Sequence, residues 1–338
     1  MKQIALATAV VFAPVASIAE TASTAAQDVI QAHIMPRFET LRTASRQLAD
    51  VAAKDCRPTS ATLRASYGDA FDAWVLASHL RFGPTETDDR AYALAFWPDS
   101  RGATPRALGG LISEQDPIGA SVADYAAVSI AARGFYALEY LLYDDALMVA
   151  GEPSYHCQLV QTISADIAVI SDAILSDWQQ SFAAQMLSPS DDGPYRTNEE
   201  VLQELFKALT TGLQFTSDTR LGRPLGTFDR PRPTRAEARR SGRSARHVGL
   251  SLQSLQDLTA RLASDDAALA NTLNDAFEDA QKNLLALNDP TFEGAGDPQS
   301  RLRIEVLQQS IDAIRDKVGQ DLGPTLGVAA GFNSLDGD

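Results

Sequence analysis

The sequence is poor in the residues from which most metal and nucleophilic sites are built. It holds four histidines and two cysteines in 338 residues. These are scattered as His33, His79, His156, His247, Cys56 and Cys157. No His-Glu-x-x-His, Gly-x-Ser-x-Gly, Walker A, Gly-x-Gly-x-x-Gly or EF-hand pattern occurs, which argues against a conventional zinc hydrolase and the other enzymes those motifs mark. Positive charge is also short. Twenty-nine Lys and Arg against 44 Asp and Glu leave a formal charge of −15, a poor balance for nucleic acid or an anionic membrane surface. After the first 19 residues no run reads as long enough to cross a bilayer. No segment alternates with period two, which leaves helices as the expected structure.

The N-terminus reads as a cleavable leader. Lys2 precedes an apolar run from Ile4 to Val15, and Ser17-Ile18-Ala19 offers a small-x-small cleavage site before Glu20. Loss of Lys2 takes the formal charge from −15 to −16. The expectation is a periplasmic or secreted protein with no transmembrane segment. In an oxidising compartment Cys56 and Cys157 are expected to form a disulfide rather than a metal site.

Helical periodicity continues along the chain. Helices are expected at residues 24–53, with Pro36 kinking or restarting the first, and from the Ser60 cap to about residue 80. Further helices are expected at 155–187, 199–219, 248–263, 267–287 and 300–319. The turn-rich stretch 188–198 marks the best boundary. The expected fold is all-α, with two helical-bundle domains at residues 20–190 and 195–338.

Residues 121–145 are apolar or small on nearly every side and read as one buried helix. Its carboxylate, Glu139, shares a face with Tyr136, Tyr140 and Tyr143 by i, i+3, i+4, i+7 spacing. A buried acid must be paired, coordinated or protonated. Glu139 is therefore either a metal ligand or one half of an ion pair with an arginine such as Arg81. A second anomaly lies at residues 220–247. Nine arginines there face only Asp229 and Glu237. Arg223, Arg240 and Arg243, with Ser241 and Ser244, form either an anion site or a clamp on acidic helices.

Six blocks carry a resemblance to a known family: SHLRFGP (residues 78–84), FWPD (96–99), GFYALEYLLYD (134–144), GRPLG (222–226), RSGRS (240–244) and GFNSLDGD (331–338). In this order they resemble the imelysin-like proteins, also called imelysin peptidases or iron-regulated-protein-A-like proteins, over essentially the whole mature chain. The resemblance implies two helical bundles, a link to iron uptake and a site where the bundles meet. The family's Gly-x-His-x-x-Glu motif is matched by Gly134 and Glu139, but its histidine position holds Tyr136. That departure weighs against peptidase activity.

The expected ligand is a metal ion, iron or another divalent or trivalent metal, or a small metal–anion complex, with a membrane uptake component as partner and no nucleic acid. His33 and Glu139 are the metal-ligand candidates. Tyr136, Arg81, Asp99, Arg223, Arg240, Arg243, Ser244 and Asp336 are the surrounding ligand-binding candidates. His79 and His156 are expected to be structural. The RFGP and WPD turns either seal a bundle end or line a ligand site. The rival readings are a metallopeptidase using Glu139 as general base and a scaffold in which all these residues are structural.

Overall fold

A computed structural model describes residues 23–328. The expected leader and Asp336 lie outside the described residues. Nine helices of ten residues or more occur among them, and no strand. Helix α1 spans residues 23–54, passing through a π-helical turn at Val29–Ile34 before Met35–Lys54. Pro36 stands directly after that turn, where the i→i−4 ladder is already interrupted, so the helix continues through it. Ser60 caps α2, Ala61–Ala77, by accepting from the Leu63 amide at 3.3 Å. Next come α3, Ala103–Glu114, and α4, Gly134–Tyr143.

Helix α5 is Pro153–Leu187 and includes a π turn at Trp178–Phe182. Helix α6, Asn198–Gln214, runs on through a π turn at Phe215–Leu221 into Gly222–Leu225. Three more follow: α7, Ser244–Leu262; α8, Ala267–Leu287; and α9, Pro298–Lys317. Helix α1 packs chiefly on α2 and α5. In the second half of the chain α7 packs on α8, α8 on α9, and α6 on both α7 and α9. The two groups of helices touch where α2 lies along α7. The apolar core continues through this seam.

Two expectations need correction. The stretch 121–145 is not one helix: a single turn at Val122–Tyr125 and a 3-10 turn at Ile130–Ala132 precede α4. The break falls where Gly134 takes φ +74°, and a Cβ there would sit 2.2 Å from the carbonyl oxygens of Ala93 and Leu94. No L side chain fits, so this glycine fixes where α4 starts. Secondly, one later helix, Pro153–Leu187, is by length and composition long enough to cross a membrane. Here it is a core helix, packed on α1 and α4 through Leu159, Ile163, Ile167 and Ile174.

The Cys56–Cys157 disulfide is formed. It joins the end of α1 to the start of α5 and closes a loop with a sequence separation of 101. A loop of that size is worth about 4–5 kcal/mol in the chain-entropy account.

Candidate functional site

Beside the seam lies a cavity of about 440 Å³. It is walled by the end of α2 (Trp74, Ser78, His79), the loop that follows (Arg81, Trp97) and Tyr136 of α4. The C-terminal half of the chain supplies Phe215, Arg220, Arg223 and Glu237. Local chemistry sets each piece. Gly83 of the RFGP turn has φ +57° and packs on the Phe182 ring, which turns the chain back after Arg81. Arg81 then donates to Glu86 at 2.7 Å and lies 4.7 Å over the Tyr92 ring. The π turn Phe215–Leu221 widens α6 by an extra residue where Phe215, Thr216, Thr219 and Arg220 reach the cavity.

The floor is a buried polar cluster around Glu237. Its carboxylate accepts from the Tyr136 hydroxyl at 2.5 Å and from Arg220 Nε at 2.7 Å. His247 Nδ1 lies 3.4 Å from the same carboxylate without forming a hydrogen bond. Burial alone would push the Glu237 carboxyl up. Arg220, with His247 and Tyr136, outweighs it and brings the pKa down to about 2. The Tyr136 phenol is pushed up, by burial first and by the Glu237 charge second. The phenol is therefore held as a donor and Glu237 as a carboxylate.

Behind the cavity wall His33 and His79 face each other, Nε2 to Nε2, at 2.8 Å. His33 Nδ1 lies 2.7 Å from Asp257. Burial lowers the His33 pKa to about 4, and His79 is lowered too, mainly by burial. Asp257 is pushed up by burial but held low by the His33 and Arg261 bonds. A neutral His33 has one N–H, and the carboxylate takes it. His79 Nε2–H therefore donates to His33 Nε2.

The sequence candidates separate into those on the cavity wall and those elsewhere. Tyr136, Arg81 and Arg223 line the cavity. His79, expected to be merely structural, lines it as well. His33 sits one shell back. Glu139 is buried outside the cavity lining, and its expected arginine partner is replaced by Ser241, which donates from its amide at 2.9 Å and its hydroxyl at 2.7 Å. Burial raises the Glu139 pKa against these donors and against Arg240. Asp99 accepts from the amides of Ala103 and Thr104 and so caps the start of α3. His156 is buried in α5, with no hydrogen-bond partner at Nε2.

The RSGRS residues act as a clamp. Arg240 donates to Asp144 at 2.8 Å and lies 3.7 Å over the Tyr140 ring. Arg243 bonds Asp72 and the Gly68 carbonyl, Arg246 bonds Asp72, and Ser244 donates to the Glu237 carbonyl. Two site residues escaped the sequence reading, Arg220 and Glu237. Glu237 carried a usable signal as one of only two acids within nine arginines.

A metal ion held by protein alone does not suit these residues. Among those described, no three His, Cys, Asp or Glu side chains converge as a metal-binding group. Both ring nitrogens of His33, both carboxylate oxygens of Glu237 and Oε1 of Glu139 already hold protein partners. What the cavity wall offers instead is a guanidinium, Arg223, over the flat Trp97 ring.

Fold and cavity define a class: an all-α protein with a polar-floored, aromatic-walled cavity beside the seam between two groups of helices. The family profile described as Imelysin matches residues 34–318, and the chain belongs to the imelysin family. It is similar to the crystal structure of an imelysin-like protein from Psychrobacter arcticum 273-4, at TM-score 0.78 and 21% identity. That match covers 93% of this chain and 98% of the other. It is also similar to an iron-regulated protein A precursor from Parabacteroides distasonis ATCC 8503. There the TM-score is 0.72 and the identity 12%, over 88% of this chain and 95% of the other. No curated protein matches the chain.

Proposed function

We propose that this chain is an exported imelysin-family binding protein that holds a small anionic ligand, free or as a complex with iron, in the cavity. Delivery to a membrane uptake component would follow. The carrying observation is Arg223. Among the charged side chains of the cavity wall, Arg81 pairs with Glu86, Lys207 with Glu204, Arg220 with Glu237, and Asp218 with Arg315. Arg223 has no such partner among the described residues, and its buried Nε makes no hydrogen bond with them. A guanidinium in that state gains two charge-assisted bonds from an incoming carboxylate or similar oxyanion.

The iron component of this reading is supported by the iron-regulated neighbour. Export is supported by that neighbour's precursor status and by the N-terminal leader pattern. Iron would enter in complex with the anion, because Glu237 is committed to Arg220 and Tyr136 and Glu139 to Ser241. A peptidase step gains no support from Glu139, whose carboxylate faces Ser241 outside the cavity lining.

The test is the content of protein purified from the periplasm, read by native mass spectrometry and metal analysis. Wild type is expected to carry a small ligand, or to take up ferric citrate, and Arg223→Ala to lose it. His33→Ala and Glu139→Ala separate an ion bound by those side chains from a complex bound at Arg223. A wild type that arrives empty and takes up neither ferric citrate nor ferric ion would leave a scaffold role instead.

A further inference from the structure

The cavity walls specify more than the sign of the ligand's charge. The Trp97 ring stacks with Tyr136 at 6.2 Å and meets Phe215 edge-on at 5.9 Å. Arg223 lies over the same Trp97 ring at 5.8 Å. Trp74 and Tyr92 continue the aromatic lining. The one lining charge without a counter-ion among the described residues is therefore placed over a flat aromatic surface.

Two further arginines, Arg232 and Arg235, crowd it. Burial first, then these two, make the Arg223 cation less comfortable than usual. Neither Arg232 nor Arg235 has an ion pair among the described residues, and both are exposed. They add positive potential on the approach to Arg223. A cation held over a ring gains most from a ligand that brings a carboxylate and a flat face together. The carboxylate forks onto the guanidinium while the ring packs on its neighbours. A saturated anion satisfies the first contact and not the second.

We infer that the cavity takes a planar aromatic carboxylate, its charged end on the Arg223 guanidinium and its ring against Trp97. This rests on the binding reading above and adds the chemical class of the ligand.

The experiment is isothermal titration of the mature protein with naphthalene-2-carboxylate, its saturated decahydro analogue, neutral naphthalene-2-carboxamide, citrate and ferric citrate. Naphthalene-2-carboxylate is expected to bind about tenfold or more tighter than either the saturated acid or the amide. Arg223→Gln is expected to weaken it by roughly ten- to a hundredfold with an unchanged melting temperature. Trp97→Leu should weaken it by roughly three- to tenfold, and Trp97→Phe should restore most of the loss.

Equal binding of the flat and saturated acids overturns the inference, as does binding indifferent to Arg223→Gln. Citrate or ferric citrate that binds wild type and not Arg223→Gln, while naphthalene-2-carboxylate fails, removes the ring preference and leaves the proposed function standing. If none of the five binds, both fall.

Discussion

The nine arginines of residues 220–247 divide into two groups that composition cannot tell apart. Arg220, Arg240, Arg243 and Arg246 each meet a carboxylate. Three of those contacts reach acids in the first half of the chain, Asp144 and Asp72. This group fastens the two halves together. Arg223, Arg230, Arg232, Arg235 and Arg239 meet no carboxylate among the described residues, and of these Arg223 stands on the cavity wall. The same residue type, a few positions apart, is spent on cohesion in one place and left available in the other. Unsatisfied bonding capacity, more than charge density, marks where a ligand can be recognised.

Removing one arginine at a time should expose the contrast. Arg220→Ala strands the Glu237 carboxylate in the interior, and urea unfolding should show a loss of about 3–5 kcal/mol. A loss below 1 kcal/mol would mean that Glu237 is not held as the geometry suggests. Acid comes next and touches neither group. His33 titrates near 4 in the folded protein against 6.5 when free. The unfolded chain therefore binds more protons between those values, so this contribution is complete above pH 6.5 and is lost as pH falls toward 4. It amounts to about 3 kcal/mol from His33, with His79 acting in the same direction. Unfolding midpoints at pH 7, 5.5 and 4 should trace that slope, and Arg223→Ala should leave it unchanged.

Arg243→Ala removes one of two partners of Asp72 and the donor to the Gly68 carbonyl. Its cost should be about 1–3 kcal/mol by the same urea measurement. Arg223→Ala should cost least, under about 0.5 kcal/mol, because no ion pair is broken among the described residues and only the 5.8 Å contact with the Trp97 ring is lost. A destabilisation equal to that of Arg243→Ala would merge the two groups and remove the case for a ligand at Arg223.

The helical fold was legible because apolar spacing is a local property: α2, α6, α7 and α8 lie close to where periodicity puts them. The disulfide was legible from the expected compartment and the count of two cysteines. Residues 121–145 misled because a helix buried all round and a chain of short turns share the same apolar composition; only the carbonyls of Ala93 and Leu94 pressing on Gly134 separate them. Tyr136, Arg81 and Arg223 were visible as chemistry in unusual places. The bond between His33 and His79, and that between Arg220 and Glu237, join residues 46 and 17 positions apart. Pairings of that kind depend on packing that no spacing rule encodes. Glu139 was correctly read as buried, but which oxygen or nitrogen meets a buried carboxylate is decided by the loop laid over it, here at Ser241.

The π turn in α6 carries one further consequence. A helix with one residue too many presents a different face below the irregularity than above it, offset by about 100°. Deleting a single residue among Thr216, Ser217, Asp218 and Thr219 would restore regular winding and change which residues of this turn, Arg220 among them, face the cavity. The reach of this cavity is thus written in chain length as well as in side chains. A chain that differed here by one inserted or missing residue would present differently charged side chains to the cavity on an otherwise unaltered frame.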